Sequence, residues 1–329
     1  MELLLKLMDA SGVSGNEEEV RDLISKEIEK HVDEVRIDKL GNLIAVKKGK
    51  LPKVMLAAHM DEVGLMVKKI EENGNIRCSG IGEVKVSSLA GKKVKINVGR
   101  NFITGTIKLR KSKKNSVKDI FIKTKLSRNR LLKNNLEIGS YISFENRANI
   151  KNNIVEGKAL DNRAGCFTLI ELAKKLGKSK NEVYFVFTVQ EEIGLYGATT
   201  SAFEIKPDWA ITVDATEAKK DVSKSEVLLG RGPFITIKDA DFMGNKCINN
   251  WIRDIARRKK IMLQCNVSDD ETTDATNISL SRGGVPSSVV GIAVQNLHTI
   301  EGKVSAKDIK DLIEILYELM KNPPKVCLV

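Results

Sequence analysis

Glu182-Val-Tyr-Phe-Val-Phe-Thr-Val-Gln-Glu-Glu-Ile-Gly-Leu-Tyr-Gly-Ala198 decides how the rest of the chain is read. Residues 183–189 are β-branched or aromatic with little polarity, a composition that suits a strand buried on both faces of a parallel or mixed sheet. The run leads directly into Glu191 and Glu192, followed by Gly194 and Gly197. Two adjacent carboxylates at the exit of a buried strand repel one another and lose hydration unless a positive group faces them. A metal ion is the simplest such group, so further ligands are expected at equivalent positions.

Other strand exits carry them. Lys53-Val-Met-Leu-Ala-Ala58 reads as a buried strand ending at His59, with Asp61 two residues on. Trp209-Ala-Ile-Thr-Val213 ends at Asp214, and the apolar run 286–294 leads to His298. Asp161 stands just before a helix expected over 166–176. His59, Asp161, Glu192 (or Glu191), Asp214 and His298 thus fall where open α/β sheets form their binding sites. Two imidazoles and three carboxylates suit two divalent ions with one carboxylate shared, and zinc, cobalt or manganese accepts such a nitrogen and oxygen set. The chain has 3 histidines. The third, His31, lies at the end of a helix expected from an Asn16 cap to about residue 32, where a cation is favoured, and reads as structural.

Taken singly these signals are ordinary, since histidines after strands are commonly packed and paired glutamates commonly lie on surfaces. The joint pattern carries the argument. Asp61 and Glu191 remain beside the ligands. A neighbouring Asp can orient a ligand imidazole, and a free Glu beside an activated water can take its proton and pass it to a leaving amine. No nucleophile elbow or Cys/His pair is recognisable, so hydrolysis by metal-activated water is the chemistry that fits.

The chain of 329 residues, 42% of them hydrophobic, is long enough for one large domain or two unequal ones. The first residues are too quickly acidic for a signal peptide, and no apolar run reaches the roughly 18–20 residues that span a bilayer. With 5 scattered cysteines and no CxxC pair, a reduced, cytoplasmic protein is expected. Between 67 and 152 short strands recur at near ten-residue spacing, which predicts a small β-barrel or sandwich inserted into an α/β unit made of 1–66 and 153–329. Further helices are expected over 245–258 and 306–320, the latter capped by Ser305, with a strand over 261–266 and a helical turn over 277–282.

The formal charge is +12. Much of it lies in 108–133, where Asp119 is the lone acid. That segment reads as a solvated surface or as a basic rim concentrating acidic ligands. With Phe121 its one aromatic and no recognition motif, a nucleic-acid role is not favoured.

His59-Met-Asp-Glu-Val-Gly-Leu-Met-Val67, Ala159-Leu-Asp-Asn-Arg163, Thr188-Val-Gln-Glu-Glu-Ile-Gly-Leu195, Val213-Asp-Ala-Thr216 and Thr273-Asp-Ala275 together resemble the tetrahedral (TET) aminopeptidases. This family includes glutamyl aminopeptidases and members labelled cellulase M or endoglucanase. The resemblance spans nearly the whole chain, in order. It implies a di-metal exopeptidase fold, a mixed central sheet flanked by helices, with an inserted β-barrel that helps form a dimer. It also implies a hollow dodecamer that admits short peptides. By the same resemblance His59 and Asp214 hold one metal, Glu192 and His298 the other, and Asp161 bridges them. Glu191 is then the general base and acid, and Asp61 the residue that orients His59.

Two segments depart from the family pattern. Before the last histidine the family usually has Arg-Tyr and after it Ser-Pro, whereas this chain reads Val294-Gln-Asn-Leu-His298-Thr-Ile-Glu301. The segment before Thr273 is Asp-Glu-Thr in place of a glycine-rich one. A metal-dependent aminopeptidase acting on short peptides is the leading expectation, and the basic segment suggests acidic first residues. A glycoside hydrolase, which needs two isolated carboxyls about 5–9.5 Å apart, and a metal-stabilised scaffold or RNA-binding protein are the alternatives.

Overall fold

In the computed structural model, which describes residues 1–110, 116–218, 227–321 and 323, the organising strand is Asn181–Thr188. It lies between Leu43–Lys47, antiparallel to it, and Lys50–His59, parallel to it. The sheet is therefore mixed. Val183, Phe185 and Phe187 point to the face covered by the helices Glu2–Asp9, Glu18–Ile28, Leu160–Leu176 and Ala306–Lys321. Val186 points to the opposite face, under the helix Tyr196–Ile205. Burial on both sides is why this strand shows no apolar and polar alternation.

Among the described residues the large sheet has eleven strands. Its main path runs Glu34–Ile37, Leu43–Lys47, Asn181–Thr188, Lys50–His59, Trp209–Glu217, Ser287–Gln295, Gly302–Ser305, Ile154–Gly157, Asn149–Lys151. Phe234–Lys238 and Gln264–Val267 extend it off that path. The four adjacent strands from Asn181–Thr188 to Ser287–Gln295 are mutually parallel, so their carboxyl ends open on one side.

The second body is a closed barrel of Gly64–Ile70, Ile76–Ile81, Ile120–Lys123, Asn101–Leu109, Lys93–Val98 and Tyr141–Phe144. Closure removes the sandwich alternative. Its interior is a separate apolar cluster that includes Leu65, Ile96, Ile107, Ile122 and Ile142. Asn149–Lys151 pairs with Ile154–Gly157 in the large sheet and takes no part in the barrel. Lys111, Lys113 and Lys114 of the basic segment lie outside the described residues.

Several local expectations need correction. The second helix is Glu18–Ile28 followed by a 3-10 turn, and its cap position is Glu17, not Asn16. The Glu17 carboxylate accepts from the Gly15 and Gln190 amides, which a side chain at Asn16 does not do. The helical turn expected over 277–282 is the helix Asp274–Ser279, begun by Thr273, whose hydroxyl accepts from the Ala275 amide at 3.3 Å. The strand expected over 261–266 is Gln264–Val267. Cys78, Cys166 and Cys265 are free thiols, but Cys247 is disulfide-bonded, which departs from the wholly reduced chain expected.

Candidate metal centre

Register brings the strand exits together. Thr188 pairs with His59, Thr212 with Ala57 and Asp214 with Gly291. Gly291 is required there, because a Cβ at that position would lie 2.0 Å from the Asp214 carbonyl oxygen. Asp161 arrives from the other side. The start of its helix is interrupted, with non-helical backbone at Asp161 and Asn162, so the carboxylate is not confined to capping.

The result is one carboxylate between two imidazoles. Asp161 Oδ1 is 3.1 Å from His59 Nε2, and Asp161 Oδ2 is 3.1 Å from His298 Nε2. Asp214 Oδ1 completes the first group, 3.5 Å from His59 Nε2. Glu192 Oε2 completes the second, 3.7 Å from His298 Nε2. Within each triad the ligand atoms all lie within 4.8 Å of one another.

The remaining expected residues are adjacent. Asp61 Oδ1 is 3.5 Å from His59 Nδ1. Its oxygens also accept from the backbone amides of Glu191 and Glu192 at 3.1 and 3.2 Å. One buried carboxylate therefore touches the first imidazole and fixes the turn that bears both glutamates. Glu191 Oε2 lies 3.9 Å from His59 Nε2 and faces the wide cleft over the cluster.

Sequence reasoning missed the residues that hold this arrangement. The Ser14 hydroxyl donates to Asp61 Oδ2 at 2.5 Å. The Asn162 amide donates to Val213 O and Asp214 Oδ1, at 2.7 and 3.1 Å. Glu217 accepts from the Asn296 and Leu297 amides at 2.9 and 3.0 Å, and Lys85 of the barrel domain donates to it at 3.0 Å. Asp274, fully buried and pushed up to about 7 by burial, accepts from the Thr188 hydroxyl at 2.5 Å. Ala159, Gln190, Asn296 and His298 all have left-handed backbone, with φ of 55, 56, 59 and 55°. Each precedes or carries an expected ligand or base. For residues other than glycine this conformation costs of order 1–3 kcal/mol and persists where the surroundings impose it. Glu17 on the Gln190 amide and Glu217 on the Asn296 amide are such impositions.

Electrostatics follow from crowding. Burial alone disfavours charge on His59, yet Glu191, Asp161, Asp214 and Asp61 around it raise its pKa well above the usual value. His298, penalised by burial in the same way, is carried up to about 9 by Asp161, Glu192 and Glu83. Burial pushes Glu191 well above the carboxylate range and Glu192 up to about 8. Asp161 is penalised by burial too, but hydrogen bonds from His298 and His59 outweigh that and hold it below the range. Anions outnumber cations, so the cluster retains protons and favours any cation that enters.

The donor set fits divalent metal. It is convergent, buried, made of imidazole nitrogens and carboxylate oxygens, and richer in acceptors than in donors. The M42 glutamyl aminopeptidase family matches this chain over residues 41–315. The chain belongs to that family. It is thus an aminopeptidase, a peptide hydrolase of a metal-dependent family.

The chain is 41% identical to a putative aminopeptidase of Acetivibrio thermocellus, over 96% of this chain and 97% of that one. Its fold superposes on an aminopeptidase from Desulfurococcus kamchatkensis with a TM-score of 0.94 at 31% identity, covering 97% and 94% of the two chains. A TET peptidase of Pyrococcus horikoshii, which can assemble into a tetrahedron or a large octahedral shell, aligns with a TM-score of 0.88 at 26% identity, covering 97% and 98%. Among the described residues no helix is long and apolar enough to cross a membrane.

Proposed function

We propose that this M42 aminopeptidase removes the first residue of short peptides on two divalent ions, zinc or cobalt in preference to manganese. His59 and Asp214 would hold one ion, Glu192 and His298 the other, and Asp161 would serve both. The observation that carries this is the placement of Asp161, with one oxygen 3.1 Å from each imidazole. When bound, the ions supply positive charge that polarises the scissile carbonyl and acidifies a water.

The chain's own residues do the rest. Glu191, held at the edge of the wide cleft, takes a proton from the attacking water and delivers it to the departing amine. Asp61 keeps the His59 ring and the Glu191–Glu192 turn in register, so the proton carrier and the first ligand are fixed by the same group. The proposal extends to assembly: dimers formed through the barrel build a tetrahedral dodecamer in the cytoplasm, consistent with the shells formed by the Pyrococcus relative.

Metal analysis, chelation and rescue with zinc or cobalt test the centre directly. Glu191→Gln should keep its metal and fold yet lower kcat by about 10²–10⁴-fold. Unchanged turnover in that variant removes Glu191 from the mechanism.

A further inference from the structure

Residues 296–301 join the sheet strands Ser287–Gln295 and Gly302–Ser305 and carry His298. The loop is closed on itself. The Thr299 hydroxyl donates to the Asn296 carbonyl oxygen at 2.7 Å and accepts from the Glu301 amide at 3.2 Å. The Asn296 side-chain amide donates to the Glu301 carbonyl oxygen at 3.1 Å. The two ends are thus tied across the histidine, and a displacement of Glu301 is passed to Asn296.

The barrel domain holds this unit along its length. Lys85 reaches the start of the loop through Glu217, which accepts from the Asn296 and Leu297 amides. Glu83 Oε2 lies 3.5 Å from His298 Nδ1. Ile300 packs against the apolar cluster inside the barrel. At the far end Lys92, also of the barrel domain, donates to Glu301 Oε1. His59 has a different surrounding. Among the described residues the groups paired with it, Asp61, Asp161, Glu191, Asp214 and the Cys166 thiol, all belong to the α/β unit.

We infer, on the two-ion reading of the cluster, that Lys92 and Glu301 are positioning residues for His298. The barrel, pulling on Glu301, seats the imidazole against Asp161 and Glu192, and so sets the affinity of the second ion and not that of the first. The Lys92 and Glu301 side chains are 32% and 59% exposed. A pair so open to solvent adds little to the stability of the fold and is weakened by salt. Its leverage lies in geometry, because the loop it anchors carries a ligand. Groups that orient a ligand change metal affinity by about 10–100-fold. One imidazole therefore answers to the charges on the seam between the domains, and the other does not.

The test is competition for zinc between the zinc-loaded protein and a chromophoric chelator. It compares the parent with Lys92→Glu, Glu301→Lys and the double swap, and His298→Ala marks which withdrawal step belongs to that side. Each single reversal is expected to weaken that step about tenfold and to leave the other within about twofold. The double swap restores opposite charges and should return the step to within about threefold of the parent. Raising sodium chloride from about 0.05 to about 0.5 M should weaken the same step more in the parent than in Lys92→Ala. In excess zinc all variants should unfold thermally near the parent, and a large drop would make the pair a general strut and overturn the positioning role. Equal weakening of both steps, no weakening in either single reversal, or no recovery in the double swap overturns that role alone. A parent that carries fewer than two zinc ions overturns the two-ion reading and this role with it.

Discussion

His59 and His298 face the same carboxylate from opposite sides but are held by different means. His59 is the last residue of a central strand, 2% exposed, with the Cys166 thiol donating to its carbonyl. His298 is 18% exposed, lies in a loop with left-handed backbone, and has Glu83 of the barrel domain 3.5 Å from its Nδ1. The first imidazole is positioned by the sheet itself. The second is built by a loop, and the loop depends on Glu217, which depends in turn on Lys85. One imidazole is held by the sheet and the other by a loop, and the two meet at Asp161.

Asp161→Asn should abolish the distinction, because both halves lose the shared carboxylate. Metal content is expected to fall for both ions and kcat/KM by about 10³-fold or more, as the loss of several kcal/mol of charge stabilisation implies. Retention of both ions in that variant would show that the halves are independent. Glu217→Ala should separate them. Calorimetric titration is expected to show one ion bound as in the parent and the other weakened about 10–100-fold, the scale of loss when a group supporting a ligand is removed. Equal weakening of both would mean that the loop supports the whole cluster.

Ser14→Ala acts on the scaffolded half and should register as stability. Asp61 keeps its two backbone donors but loses a buried hydroxyl, which should cost about 1.5 kcal/mol in urea unfolding and change the affinity of the His298 side little. The smallest effect on turnover is expected at Glu17. Burial raises its pKa from 4.5 to about 7, so its contribution to stability is complete below pH 4.5 and is lost as pH rises through 7. Glu17→Gln keeps an acceptor for the Gly15 and Gln190 amides and removes that loss. Its unfolding free energy should exceed the parent's by roughly 1–3 kcal/mol at pH 8 and match it near pH 4. A parent whose stability does not fall over that window contradicts the assignment.

The frame of the molecule was legible because its signals are local. Asn181–Thr188 announces itself by composition, and His59, Glu191, Glu192 and Asp214 announce themselves as polar groups where apolar runs stop. The barrel was legible from strand spacing, though whether it closed was not, since closure is set by the pairing of Gly64–Ile70 with Tyr141–Phe144, far apart in the chain. The supporting residues were not legible for the same reason. Ser14 and Asp61 are 47 residues apart, and Glu217 and Asn296 are 79 apart. A serine in a glycine-rich turn, or a glutamate three residues after Asp214, carries no periodicity that marks its partner.

Glu217 also bears on how such a site can drift. It grips the main chain at Asn296 and Leu297 and not their side chains. The identity of the residues ahead of His298 is thereby uncoupled from the position of the imidazole. Side chains at those two positions can change while the main chain ahead of the ring keeps both of its bonds to Glu217. The carboxylate is a fixed hinge pin on which the lettering of the loop can be rewritten.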